Sequence, residues 1–97
     1  MDVIVPRWSK GSHYLTYGYK DSNGKAQAKE FNAFTPTDPA IPVTNVFSNK
    51  VDGNSVFNLS NGNQYFIIGI EATNTAYFYK RTSFNSIFVD HEVVTIL

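Results

Sequence analysis

Three consecutive runs of β-branched and aromatic residues, spread over residues 64–96, constrain the fold of this chain more than any other feature. The first is Gln64-Tyr-Phe-Ile-Ile-Gly-Ile70, the second Thr75-Ala-Tyr-Phe-Tyr-Lys-Arg81, and the third extends from Ser86 to Ile96. Turn-forming clusters, Glu71-Ala-Thr-Asn74 and Thr82-Ser-Phe-Asn85, separate them. Side chains of this shape fit a pleated, half-buried surface, so the pattern predicts a β-meander. The largest concentration of apolar residues lies here, and these strands are expected to be the floor of the core.

The remainder follows the same logic. Asp2–Trp8 reads as a first strand with Val3 and Val5 on one face and Ile4 on the other; Pro6 has no N–H to give a ladder and marks an edge or ends the pairing there. Ser12–Lys20 and Lys25–Asn32 flank Asp21-Ser-Asn-Gly24, where Asn-Gly tolerates positive φ and signals a hairpin. Leu15, Tyr17 and Tyr19 share one face of the first arm with His13, while Tyr14, Thr16 and Gly18 share the other. In the second arm Ala26, Ala28 and Glu30 lie opposite Lys25, Gln27, Lys29 and Phe31. So polar an arm is expected to protrude. Pro36, Pro39 and Pro42 space out an extended segment expected to cross between two sheets. Val43–Ser48 and Ser55–Leu59 read as further strands, joined through Asp52-Gly53, and Ser60-Asn-Gly-Asn63 leads into the meander. No apolar period of helical type persists beyond a turn or two. The chain is therefore expected to be all-β, a small antiparallel β-sandwich or barrel of about 7–8 short strands, with residues 1–97 forming a single domain.

Composition removes several classes of function. Lys and Arg number 8 against 8 Asp and Glu, so there is no basic face to release counterions from a phosphate backbone, and nucleic acid is not an expected partner. The same neutrality opposes self-association only weakly. With no cysteine there are no thiolate metal sites and no thiol chemistry, and neither a cofactor nor a metal is expected. No apolar run approaches the length that crosses a bilayer as a helix, and the first eight residues lack the pattern of a secretory signal. Membrane insertion is not expected, and the location is read as cytoplasm or export by a signal-free route.

Few residues have the character of a site. Asp90-His91-Glu92 alone gathers catalytic residue types, and strand alternation would place the two carboxylates together and His91 on the opposite face with Ile87, Val89 and Val93. That pattern is a solvated face sooner than a catalytic centre. Asp21-Ser-Asn-Gly24 and Asp52-Gly-Asn54 lack the alternating ligands of a calcium loop. Asn58-Leu-Ser60 fits the acceptor pattern for glycosylation. The aromatics beside the first hairpin are more suggestive. Trp8, His13, Tyr14, Tyr17 and Tyr19, with Asp21, Asn23 and Asn32 nearby, combine flat apolar rings with hydrogen-bonding groups. Sugars, which carry an apolar C–H face and a ring of hydroxyls, need both. The expectation is a non-enzymatic, glycan-binding (lectin-like) module made multivalent by homo-oligomerisation, with those eight residues as the ligand site. One alternative is a structural assembly protein, a virion or surface component, that self-associates through aromatic patches and the edges Val3–Val5 and Val93–Leu97. The other is a small enzyme using Asp90, His91 or Glu92.

Overall fold

The computed structural model describes residues 3–96. Asp2 and Leu97, which end two of the expected strands, lie outside the described residues. Among the described residues eight strands form two antiparallel four-stranded sheets. The first sheet has the order β1 (Arg7–Lys10), β2 (Tyr14–Lys20), β3 (Ala26–Asn32), β4 (Ile41–Pro42). The second runs β5 (Gly53–Asn58), β6 (Gln64–Ile70), β7 (Thr75–Arg81), β8 (Val89–Thr95). The shortest dimension, 18 Å, is that of two layers stacked face to face. The fold is a β-sandwich.

Small residues on one inner face meet large ones on the other. Gly18, Ala26 and Ala28 point inward from the first sheet, and Phe66, Ile68 and Tyr79 from the second. Gly18 is tightly packed, because a Cβ there would sit 2.9 Å from both Ile4 Cδ1 and Val51 Cγ1. Val43, Val51 and Phe88, all from connecting segments, close the cluster.

One end of the sandwich is polar. Arg81 on β7 and Glu30 on β3 are both buried, and Arg81 Nη1 and Nη2 donate to the two Glu30 carboxylate oxygens at 3.1 and 2.9 Å. Arg81 Nε donates to Gln64 Oε1 at 2.6 Å and Nη2 to the Ser9 carbonyl at 3.2 Å. Gln64 Nε2 donates to the same Ser9 carbonyl and to Asn58 Oδ1. The guanidinium lies over Phe88, 4.1 Å from the ring centroid. Five strands, β1, β3, β5, β6 and β7, are tied at this point.

Several expectations are corrected. The first strand begins at Arg7, since Pro6 interrupts the ladder; upstream, Val3 makes only an isolated bridge to Tyr19 while Ile4 turns inward. The first hairpin does not protrude. β2 and β3 are the central strands of their sheet, and Ala26, Ala28 and Glu30 are buried, their small size and ion pair making a polar-looking arm suitable for the core. Its turn uses positive φ at Gly24 alone, because Asp21 Oδ1 accepts the N–H groups of Asn23 and Lys25 and shapes a longer loop. The proline segment does not cross between sheets; it folds back so that Ile41–Pro42 pairs with β3. Residues 43–48 contribute one bridge, Phe47 to Ala26, in place of a strand. Asp52-Gly53 is no positive-φ turn, and Gly53 opens β5. The third meander strand is not part of the core floor, as every residue of β8 is exposed.

Replacing Arg81 by Met leaves the Glu30 carboxylate buried without its partner, and urea unfolding should register a loss of about 3–5 kcal/mol. Arg81→Met with Glu30→Leu should cost clearly less than Arg81→Met alone, because no unpaired charge remains. A double variant as unstable as the single one contradicts this account of the clasp.

Candidate functional site

Opposed residues of a hairpin share a face, so the β1–β2–β3 register places Trp8, Leu15 and Phe31 in one row on the outer face of the first sheet. The next rows on that face are Tyr17 with Lys29 and Tyr19 with Gln27. The Tyr17 ring stacks on Tyr19 at 5.4 Å and 29° and meets Phe31 edge-on at 5.4 Å and 75°. The Tyr17 ring is thus held between two aromatic neighbours, with one face stacked on Tyr19. Trp8, 53% exposed, keeps its ring open to solvent.

The other five expected site residues are dispersed. His13, in the β1–β2 connection, packs edge-on against Phe34 at 4.9 Å. Tyr14 and Asn32 oppose one another on the other face of the sheet, where Lys10 lies 4.4 Å over the Tyr14 ring. Asn32 Nδ2 donates to the Tyr14 hydroxyl, and Asn32 Oδ1 accepts the Phe34 N–H. Asp21 holds its own turn and accepts Gln27 Nε2 at 3.1 Å. Asn23 is exposed at the hairpin tip. The carboxylate and amides expected to hold a ligand are largely committed to the fold.

What the structure adds is a groove of about 370 Å³ on the same outer face, lined by Val3, Pro6, Tyr17, Phe31, Pro36, Asp38 and Ala40. The strands supply its floor, and the folded-back proline segment supplies one wall. Among the described residues the Asp38 carboxylate has no ion-pair partner. Burial, reinforced by Tyr19, pushes the Tyr17 phenol up while Lys29 works against the rise. The Lys29 ammonium is itself held up by its hydrogen bond to the Tyr19 hydroxyl. Near neutral pH the groove therefore combines a neutral O–H, a carboxylate and, beside them, an ammonium around an apolar floor. Of the residues expected for a site, Tyr17 alone lines this groove, whose other lining residues, Phe31, Pro36 and Asp38 among them, were not among the expected ones. Phe31 was within reach, since the hairpin register joins its face to that of Tyr17.

The acidic-histidine cluster is arranged differently from the expectation. Tyr79 pairs with Asp90 and Phe78 with Glu92, so His91 is the extra residue of a β-bulge. The bulge interrupts alternation: the His91 ring packs against Tyr65 at 5.3 Å on the outer face, and Asp90 falls beside Tyr79. All three are exposed. Among the described residues no group of three His, Asp or Glu side chains is placed to hold a metal ion. Tyr79 is the perturbed group here: burial first, then the Asp90 charge, push its phenol well above the ordinary value, against a hydrogen bond with the backbone of Asn45.

The chain matches no protein-family model, no curated protein and no solved structure.

A raised phenol is favoured as the neutral form in the fold, so its contribution to stability is complete below the unfolded tyrosine value and is lost as pH rises above about 10. Tyr79→Phe should flatten the alkaline decline of the urea midpoint, leaving the smaller part due to Tyr17. An unchanged alkaline slope would contradict this assignment.

Proposed function

We propose that the protein is a non-enzymatic binding module that takes a sugar ring in the groove beside Tyr17. The observation that carries this reading is the groove itself. Phe31, Pro6, Pro36 and Val3 offer apolar surface to a C–H face, while Tyr17, Asp38 and Lys29 supply donors and acceptors for hydroxyls at its margin. Its volume lies at the small end of ligand sites, which suits one or two rings and not a long chain. Trp8 stands on the same face and extends the aromatic surface beyond the groove.

A second reading, an assembly protein, is favoured by the exposure of Val89, Val93 and Val94 along an edge strand. The two are compatible, since weak sugar sites gain avidity when copies are joined. The enzyme reading has the least support, because the bulge splits the Asp90-His91-Glu92 cluster between the two faces of an exposed strand.

Titration of the protein against a panel of mono- and oligosaccharides should identify a ligand. Asp38→Ala should then weaken it about tenfold or more, the loss expected for a hydrogen bond to a charged group, with an unchanged far-ultraviolet spectrum. Phe31→Ala should weaken the same ligand. A native protein that binds no sugar, or a sugar whose affinity ignores Asp38→Ala, would overturn the assignment.

A further inference from the structure

β8 is the outermost strand of the second sheet and is exposed along both faces. In the other layer the first sheet ends in β4, which is two residues long, one of them proline. Val93 is 60% exposed and Ile96 58%. The other edges are blunted. β1 is short and has a register shift at Ser9, β4 is a fragment, and β5 lies against β1 and β2. Among the described residues β8 is the edge strand that is exposed along its whole length, and its last part, Val93 to Ile96, is mostly apolar.

The direction of its backbone groups can be read from one hydrogen bond. Ile96 N–H donates to the Asn74 carbonyl at 2.7 Å, and the β7–β8 register is regular from Glu92 to Thr95. Backbone groups alternate along an antiparallel strand, so Val94 and Ile96 face β7. Val93 and Thr95 therefore turn their N–H and C=O groups outward, away from the sheet.

We infer that β8 forms a twofold interface with a second copy of this chain, pairing antiparallel about Val94. In that register Val93 opposes Thr95 of the second copy and Thr95 opposes its Val93, each pair exchanging two N–H···O bonds. Val94 meets Val94, and Glu92 meets Ile96, so the β-branched residues pair and no carboxylate opposes a carboxylate. The His91 bulge ends the regular ladder on one side and confines pairing to the last part of the strand. Because both copies use the same edge, the contact closes as a dimer and does not propagate as a filament. The inference is independent of the sugar reading, and its test contains no sugar.

Light scattering over a concentration series should give the mass of a dimer for the native chain. Amide hydrogen exchange at Val93 and Thr95 should be slow in concentrated solution and fast on dilution. Val94→Lys, at a surface position, should raise the dissociation constant about tenfold or more by opposing like charges, and should free both amides. Val94→Glu alone should do the same, and an equimolar mixture of the two variants should restore the dimer. A native monomer at every concentration would overturn the proposal, as would a dimer indifferent to Val94→Lys. If either variant is poorly folded alone, the mixture decides: failure to recover a dimer on mixing also overturns it.

Discussion

The rest of the structure depends on the ion pair between Glu30 and Arg81, which crosses from one sheet to the other. Desolvating two charges is expensive, and the pair persists because almost every polar atom in it is used: both carboxylate oxygens accept from the guanidinium, and Gln64 and the Ser9 carbonyl take the remaining directions. Apolar residues of equal volume would spare that desolvation but would offer no directional contact. Small residues facing large ones already resist sliding, and a bidentate fork, satisfied in one arrangement only, adds a directional lock at this end. The clasp thereby sets which part of the second sheet lies under the first.

The course of the chain after β3 has two consequences. The first sheet narrows from the full-length β2 and β3 to the fragment β4, so the second sheet is covered over β5, β6 and β7 and bare at β8. The residues that might have built a longer β4 are spent instead on the proline segment, which folds back over the outer face and raises the wall of the groove at Pro36 and Asp38. The uncovered edge and the groove arise from the same stretch of chain.

Much of this was legible in the sequence. Period-two alternation gave the strands of the first hairpin and the meander, and the face memberships of Tyr17, Thr16, Ala28 and Glu30 follow from it directly. The alternation even contained the clasp, since Arg81 shares a face with Tyr79 and Glu30 with Ala28; a charge on each of two core faces has to find its opposite. Other features resisted for physical reasons. Ala26 and Ala28 look too weak for a core until the aromatic layer opposite is known. Bulges leave no composition signal, and the one at His91 turns the residues after it, Glu92 to Thr95, to faces that alternation assigns the other way. The groove depends on where the segment after Asn32 returns, a long-range matter that proline spacing alone does not determine.

An antiparallel pair of edges is related by a twofold axis perpendicular to the sheet. Joining two copies through β8 would therefore make one continuous second layer and set both first sheets on the same side of it. Each groove lies on the outer face of its first sheet, so the two would open in the same direction and not toward opposite hemispheres. On the sugar reading proposed for the groove, a single shallow site with one carboxylate and one phenol at its margin would bind weakly. Two such sites facing one way can engage one ligand-bearing surface together, and the second contact then forms at the high effective concentration set by the rigid sheet between them. If both proposals hold, the bare β8 edge is in the right place to supply the second contact that a single groove lacks.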